Sequence, residues 1–265
     1  MTFTTRPATA SDHGTFARLF PELKVPDPVP TAEHFAATML PRVLILCDGT
    51  EPIGYTFWNL YGTTAHVVHV AVDPRARGRG AGRALMDALR KTLVGCTRWY
   101  LNVKRDNAPA LALYTRCGFT IEHESWAMRL TWAQIANLPT DASAVAATAT
   151  PPDDEAIAGR FTLDRERIAM LRNKPATVLM TLREGASTTL VAFAAFDPTF
   201  PGFYPFRVTR PTLARPLFEA CRPHADQRFN YVNINVEADP ALRDTLTTAG
   251  ATLHFALVQM GAPLA

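Results

Sequence analysis

The sequence predicts a mixed α/β protein made of two tandem domains. Three observations support this prediction. An apolar strand, a glycine-rich loop and the start of a helix follow one another from Val70 to Leu85. A second strand from Trp99 to Val103 leads into a helix that ends at Gly118. The strands and turns of the first half then recur in the second half, which indicates an internal repeat.

The elements before the glycine-rich loop are predicted from apolar runs and turn residues. A first strand begins at Phe3 and runs into a helix cap before Asp12. Apolar runs over 42–49 and 53–58 form a predicted β-hairpin. The second half repeats this order, with a strand near Val145 and a hairpin over 177–185 and 189–196.

The glycine-rich loop has the composition of an anion site. Gly78, Gly80 and Gly82 lack the Cβ atoms that would keep a ligand away from the main-chain N–H groups. The N-terminus of the following helix adds further donors and a positive dipole end. Additional positive charge comes from the arginines at Arg75, Arg77, Arg79 and Arg83. The loop is therefore predicted to bind a di- or polyphosphate.

Two common phosphate loops are excluded by spacing. A Walker loop requires Lys-Ser or Lys-Thr after its last glycine, whereas this sequence has Arg83-Ala84 there. A dinucleotide-binding fingerprint requires a third glycine where Arg83 stands. Another class of phosphate-binding loop must account for the pattern.

A second motif follows the strand that ends at Val103. Asn107 is predicted to cap a helix whose early proline, Pro109, suits the first turn. Tyr114 lies on the apolar face of this helix, and Gly118 stops it before Phe119.

Together the two motifs resemble those of the GNAT superfamily of N-acetyltransferases. The matching residues are Arg77-x-x-Gly80-x-Gly82 after a Val-x-Pro turn, and Asn107 followed by Tyr114 and Gly118-Phe119. The resemblance covers about Phe3 to Leu130 and is closest to the branch that includes peptide N-terminal acetyltransferases. It implies, for each half, a largely antiparallel mixed sheet with a splayed strand pair, flanked by helices.

The resemblance also implies a co-substrate and roles for individual residues. Acetyl-CoA would bind with its pyrophosphate on the loop amides, and no metal would be needed. The N–H of Val70 would polarise the thioester carbonyl, and Tyr114 would protonate the departing thiolate. Asn107 would contact the cofactor or cap its helix. The expected cofactor-binding residues are Val70, Val72, Arg77, Gly78, Arg79, Gly80, Ala81, Gly82, Arg83 and Asn107.

The general base is less closely defined by the sequence. His66 lies eleven residues before Arg77, where some family members carry a catalytic glutamate. Simple alternation places His66 on the same strand face as Val70 and puts His69 on the other face. A purely structural role for His66 is equally open, and a bulge that shifts the strand register would bring His69 into consideration.

The internal repeat suggests an intact first domain and a degenerate second domain. Tyr100-x-Asn102 and the following Pro109 correspond to Tyr231-x-Asn233 and Pro240 at identical separations. We predict a catalytic domain over 1–136, a linker over 137–150 that is rich in Ala, Thr and Pro, and a second domain over 145–265. The arrangement is similar to that of mycothiol synthases, although in those proteins the second domain is the active one.

The second half lacks the residues on which the chemistry depends. Its loop, Thr209–Pro216, is four residues shorter, contains no glycine and has two prolines that lack N–H groups. The place of Tyr114 is taken by Thr245 or Leu246. Only the first domain is therefore expected to bind acetyl-CoA.

Composition limits the remaining function classes. The chain has 265 residues, 48% hydrophobic residues and a net charge of +3, with much of the basic excess in the loop. No nucleic-acid module, membrane span or secretory signal is evident, so a cytoplasmic location is expected. The four cysteines show no spacing typical of a metal site or a disulfide framework.

For the site that would bind the acceptor amine, the sequence offers only candidate residues. Four polar residues lie in or just after the proline-rich segment 21–30, namely Glu22, Asp27, Glu33 and His34. They could hold an ammonium group or form a solvated rim. Phe57, Trp58 and Tyr61 could line a pocket or pack in the core. Aromatic residues over 200–206 are expected to form a loop that closes the pocket or contributes to a homodimer.

The leading hypothesis for function is an N-acetyltransferase acting on a primary amine of a small molecule, an amino sugar or a peptide N-terminus. The alternatives are a non-catalytic acyl-CoA sensor or scaffold, and an acyltransferase that uses a longer acyl-CoA.

Overall fold

The computed structural model describes residues 3–25, 28–185 and 189–264, and it contains two compact units. The first unit comprises Met1–Glu122 together with Gln259–Ala265, and the second comprises His123–Val258. The predicted domains of 1–136 and 145–265 refer to the repeat in the sequence, and that division stays a prediction.

The first unit is a mixed sheet with helices on both faces. Its strands are β1 (Phe3–Pro7), β2 (Val43–Asp48), β3 (Glu51–Tyr61), β4 (Thr64–Val72) and β5 (Arg98–Lys104), joined by the end of β12 (Thr252–Pro263). The sheet order is β1-β2-β3-β4-β5-β12. The helices are α1 (His13–Leu19), α2 (Ala32–His34, continued by a wider helical turn to Met39), α3 (Ala81–Thr92) and α4 (Ala108–Arg116).

Burial of both faces of the central hairpin explains this layering. Strand β2 is buried from Val43 to Cys47, so it needs apolar cover on each side. On one face Phe16 and Phe35 from the α1 and α2 region pack against Tyr55. On the other face Leu85 of α3 packs in a separate cluster.

The second unit repeats this arrangement. Its strands are β6 (Thr120–Thr131, which begins in the first unit), β7 (Ala144–Thr148), β8 (Val178–Glu184), β9 (Leu190–Asp197), β10 (Gly202–Val208) and β11 (Tyr231–Glu237), in the order β6-β11-β10-β9-β8-β7. Its helices are α5 (Trp132–Ile135), α6 (Asp154–Phe161), α7 (Arg165–Asn173), α8 (Ala214–Cys221) and α9 (Pro240–Thr248). The predicted fold class, mixed α/β with largely antiparallel sheets flanked by helices, is confirmed.

The first unit is discontinuous in sequence, since it contains the end of the chain. The side chain of Met260 is only 1% exposed. The Leu264 N–H donates a 2.8 Å hydrogen bond to the Thr97 carbonyl, and Gln259 Nε2 lies 2.9 Å from Glu122 Oε2. The last residues are thus part of the first unit's hydrogen-bonded framework.

The predicted aromatic loop over 200–206 is wrong. From Gly202 onward this segment is strand β10, and the side chains of Phe203 and Phe206 are buried in the core of the second unit. Phe203 stacks on Phe196 with ring centroids 4.5 Å apart. Phe200 lies before the strand and is exposed. Core packing, rather than closure of a pocket, accounts for the buried rings.

The helices that the structure describes are short. None of them is long and apolar enough to cross a membrane. Within the same residues, no group of histidine, cysteine and acidic side chains is arranged to hold a metal ion.

Candidate active site

The central feature of the first unit is the separation of two parallel strands. Strands β4 and β5 pair only from Thr64 to Val67, opposite Arg98 to Leu101. Beyond this point β4 continues to Val72 and β5 to Lys104 without further pairing between them. The gap leaves one edge of β4 open within an otherwise paired sheet.

The open edge of β4 is lined by the main chain of Val70 and Val72. Asp73 N–H donates to the Ile53 carbonyl of β3 at 2.8 Å, so alternate residues of β4 point their main-chain groups toward β3. Val70 and Val72 therefore point theirs toward the gap. In agreement, the Val72 carbonyl accepts a bond from Arg77 Nε at 3.2 Å instead of from β3.

A β-bulge precedes the gap and changes which side chains share a face. His69 lies opposite Phe57, whereas Val67 lies opposite Trp58, so β4 has one extra residue at this point. His66 lies opposite Asn59, which is on the same face of β3 as Phe57. The expectation that His66 and His69 lie on opposite faces is therefore wrong.

The two histidines nevertheless have different surroundings. The ring of His66 stacks on Tyr100 of β5, with centroids 4.4 Å apart and planes within 2°. His69 is enclosed by aromatic rings, which include Phe20 at 5.5 Å and Phe57 at 5.4 Å. Burial lowers the pKa of His69 to about 4, so its imidazole is neutral at physiological pH.

The aromatic residues near the second hairpin belong to the core. Phe57, Trp58 and Tyr61 are each less than 9% exposed. Core packing therefore accounts for them, and the alternative of an acceptor pocket finds no support in their burial.

The glycines of the loop have two different structural roles. Gly78 and Gly80 have φ values of +73° and +86°, a conformation that other residues rarely adopt, and a Cβ at either would meet no atom within 4 Å. Gly82 lies inside α3, where a Cβ would come within 2.9 Å of Leu113 Cδ2 on α4. Gly82 thus allows the two helices to pack closely, which the ligand-access interpretation of the sequence did not anticipate.

The start of α3 presents main-chain donors beside this loop. The first helical hydrogen bond runs from Ala84 N–H to the Gly80 carbonyl at 3.0 Å. The N–H groups of Ala81, Gly82 and Arg83 precede this bond and have no acceptor within the helix. Together with the positive end of the helix dipole these donors are suited to an anionic ligand.

The arginines of the loop form ion pairs with carboxylates of the same unit. Arg77 bonds Glu22 at 2.5 Å, which gives that rim carboxylate a partner other than an ammonium group. Arg79 pairs with Asp48 at 2.7 Å, and Arg83 with Asp87 at 2.9 Å. The positive charge of the loop is thus locally balanced. Of the other rim candidates, Glu33 and His34 are exposed, and Asp27 lies outside the described residues.

Asp73 anchors the glycine-rich loop. The sequence alone indicates only that this residue is part of a turn. Its carboxylate is buried and accepts bonds from Arg18 on α1 at 2.6 Å and from Arg75 at 2.9 Å. It also accepts the Arg75 main-chain N–H at 3.0 Å. These bonds, from Arg75 above all, hold the pKa of Asp73 well below its ordinary value. Arg75 is therefore a structural arginine of the loop.

The second motif forms as the sequence predicts. Asn107 Oδ1 accepts the Ala110 N–H at 3.2 Å, which caps α4. The Tyr114 side chain is buried, and its ring centroid lies 6.0 Å from that of Phe119. Burial raises the pKa of Tyr114, so the phenol keeps its proton at neutral pH. Such a group can donate a proton.

The second unit keeps the frame of this motif but not its chemistry. Asp239 caps α9 through the Leu242 N–H at 2.8 Å, and Gly250 ends that helix with φ +95°. Between these residues the position of Tyr114 is occupied by Leu246, which is fully buried. The two alternatives left by the sequence are thus resolved in favour of leucine.

The second unit also has two parallel strands that separate, but the gap between them differs from the gap between β4 and β5. β10 and β11 pair in parallel only at Gly202 and Phe203 before they separate. Arg207, near the end of β10, then forms an ion pair with the buried carboxylate of Glu237 on β11. A charged side-chain pair therefore joins the two strands where β4 and β5 stand apart.

Comparison with known families agrees with this geometry. Residues 14–119 match the model of the Acetyltransferase (GNAT) family. The matched segment contains the strand gap, the glycine-rich loop and Tyr114. Residues 14–119 thus match the GNAT family, and the chain as a whole has the fold of two GNAT-like halves in tandem.

Among curated proteins the chain is similar to two mycothiol acetyltransferases. It is 44% identical to the protein from Corynebacterium jeikeium over 62 residues, which are 23% of this chain and 18% of that protein. It is 50% identical to the protein from Amycolatopsis mediterranei over 58 residues, which are 21% of this chain and 19% of that protein. The match thus spans less than a fifth of the length of either relative.

Solved structures share the fold over the whole chain. A GCN5-related N-acetyltransferase from Sphaerobacter thermophilus superposes with a TM-score of 0.68 at 17% identity, covering 99% of this chain and 96% of that one. A tandem GNAT protein from the clavulanic acid biosynthesis pathway gives a TM-score of 0.65 at 16% identity, covering 100% and 99%.

The anchoring role of Asp73 leads to a prediction about stability and its pH dependence. We expect Asp73→Asn to lower the free energy of unfolding by about 2 kcal/mol at pH 7, since Arg18 and Arg75 lose a charged acceptor. The folded pKa of Asp73 lies well below its unfolded value of about 3.9. The contribution is therefore fully present above about pH 3.9, declines below that pH, and is lost completely only when the pH falls through the lower folded pKa. Denaturant melts at several pH values measure the difference.

The matched control is Asp87→Asn, which removes a half-exposed carboxylate paired with Arg83. Its effect should stay below about 0.5 kcal/mol. Equal losses in the two variants, or a loss in Asp73→Asn that does not shrink as the pH is lowered below about 3.9, would contradict the anchoring role.

Proposed function

We propose that this protein is an acetyl-CoA-dependent N-acetyltransferase whose reaction takes place in the first unit. The observation that carries the proposal is the gap between β4 and β5, which leads directly to a glycine loop and the open N-terminus of α3. A long ligand with a phosphorylated end and an extended arm fits such a site. The match of residues 14–119 to the Acetyltransferase (GNAT) family supports acetyl transfer in general.

The residues present fit acetyl-CoA. The N–H groups of Ala81, Gly82 and Arg83 would hold the pyrophosphate, and the open space beside Gly78 and Gly80 would admit it. The main chain of Val70 and Val72 would pair with the pantetheine arm in the place of a neighbouring strand.

The arginine ion pairs set a condition on this binding. Arg77, Arg79 and Arg83 would contribute to phosphate binding only by exchanging their carboxylate partners for the ligand. Exposed ion pairs of this kind contribute at most about 1 kcal/mol each, so a phosphate can compete for them.

The proposed reaction is direct attack of a primary amine on the thioester. An ammonium group must first lose its proton, and His66, directly or through water, is the proposed base. The N–H of Val70, at the open edge of β4, would stabilise the oxyanion that forms on the carbonyl. Tyr114 would then give its proton to the departing thiolate, a role that its burial and raised pKa support.

For the acceptor we propose a primary amine on a small molecule, an amino sugar or a peptide N-terminus. Two relatives are named mycothiol acetyltransferases. Because the match covers less than a fifth of either protein, it favours acetyl transfer without selecting among these amines. A homodimer stays a prediction.

The first alternative is a sensor or scaffold that binds acyl-CoA without turnover, and the second is transfer of a longer acyl chain. Release of free thiol from acetyl-CoA in the presence of a panel of amines tests the proposal directly. Tight binding of acetyl-CoA with no thiol release for any amine would favour the sensor. Turnover only with longer acyl-CoA molecules would favour the second alternative.

Cofactor binding by the glycine-rich loop is tested by Gly80→Ala. The added Cβ would enter the open space beside the loop and would disfavour φ +86°, so acetyl-CoA affinity should fall at least tenfold. Gly95→Ala is the matched control, because Gly95 also has a positive φ (+84°) and open space but lies in the turn before β5. Both variants should lose about 1 kcal/mol of stability. If calorimetry gives the same acetyl-CoA affinity for Gly80→Ala and Gly95→Ala, the glycine-rich loop does not bind the cofactor.

The proposed acid is tested by Tyr114→Phe. Loss of the hydroxyl should lower kcat by about 100-fold and leave the Kd of acetyl-CoA within about twofold, since the ring and its packing remain. Tyr231→Phe in the second unit is the control for the same chemical change and should leave kcat unaltered. Unchanged turnover in Tyr114→Phe would exclude its role as the acid.

The proposed base is tested by the pH dependence of kcat/KM. In His66→Ala the decline in rate that protonation of an imidazole causes at acid pH should disappear, and the rate at pH 7 should fall at least tenfold. His69→Gln is the control, because the pKa of about 4 keeps His69 neutral between pH 5 and 9. An acid limb that persists in His66→Ala and disappears in His69→Gln would reverse the assignment.

A further inference from the structure

A cavity in the second unit lies outside the residues used by the proposed function. It is open to solvent, has a volume of about 640 Å³ and lies between the start of α5 and the segment that joins α8 to β11. Its walls include the aromatic side chains of Trp132 and Phe229 and the amides of Gln227 and Asn230. This volume is typical of a small-molecule site.

The cavity contains one guanidinium whose charge is not balanced by a carboxylate. Arg222 lines it and lies over the Trp132 ring, with Cζ 5.6 Å from the ring centroid. Over residues 3–25, 28–185 and 189–264, no acidic side chain forms an ion pair with Arg222. Because Arg222 contacts the face of an indole ring and not a carboxylate, its N–H groups can donate hydrogen bonds to an anionic ligand.

The acidic side chain in the same wall does not offset this charge. The Arg228 guanidinium donates two hydrogen bonds to Asp226, of 2.5 and 2.9 Å, and the Arg228 main-chain N–H donates a third. Arg228 lies over the Phe229 ring, 5.8 Å from its centroid. The cavity therefore combines aromatic walls with a net positive charge that comes from Arg222.

We propose that this cavity binds a planar aromatic anion, that is, a small molecule with an aromatic ring and a carboxylate or phosphate group. The ring packs against Trp132 and Phe229, and the anionic group pairs with Arg222. Gln227 and Asn230 supply further polar contacts at the rim. The site is independent of the proposed acetyl transfer, because neither its residues nor its ligand take part in that reaction.

The test uses the full chain without acetyl-CoA, titrated with benzoate at low ionic strength and followed by calorimetry and by tryptophan emission. Benzyl alcohol keeps the ring without the charge, and acetate keeps the charge without the ring. We expect saturable binding of benzoate and at least tenfold weaker binding of both analogues. Equal binding of benzoate and benzyl alcohol, or of benzoate and acetate, would overturn the proposal, as would no binding of benzoate.

Variants connect the binding to the cavity. Arg222→Gln should weaken benzoate binding at least fivefold. Arg243→Gln is the matched control, since Arg243 also lies over an indole, 4.5 Å from the Trp126 ring, but is paired with Asp244 at 2.7 Å and does not line the cavity. Arg228→Gln should weaken binding as well, because it leaves the charge of Asp226 unbalanced inside the wall. Unchanged affinity in Arg222→Gln would place the ligand elsewhere.

Discussion

The constraint on which the rest of the first unit depends is that β4 extends beyond its pairing with β5. A buried strand edge normally has its main-chain groups paired, because an unpaired group away from water costs about 1–3 kcal/mol. At Val70 and Val72 the fold leaves that edge open. The bulge at the last paired residues starts the separation. A substrate with an extended arm would supply main-chain hydrogen bonds that β5 does not, and the proposed reaction would draw its affinity from them.

Electrostatic balance is the second organising principle. The loop has four arginines close together, yet each one has a carboxylate partner within the first unit. Asp73 differs from the other carboxylates because it is buried and joins the loop to α1 through Arg18. One pair thus holds the loop in place, and the exposed pairs are weak enough to exchange. If only their charges were considered, all four loop arginines would be assigned the same role.

The sequence predicts the features that depend on neighbouring residues. The capping role of Asn107 and the end of its helix at Gly118 follow from local geometry, and both are found. The Asp73–Arg18 pair joins residues far apart in the chain, and no local pattern indicates it. The shared face of His66 and His69 depends on a single inserted residue, which an alternation rule cannot detect. Long-range pairing and register are therefore what the structure adds.

The discontinuous first unit has a consequence for how the protein is made. Residues 259–265 belong to the same compact unit as the glycine loop, although the whole second unit lies between them in the chain. During synthesis the N-terminal half therefore emerges from the ribosome long before its final strand exists. Until residues 259–264 have been synthesised, the sheet of the first unit lacks the strand that lies beside β5. The first unit can therefore complete its sheet only after the whole second unit has been synthesised.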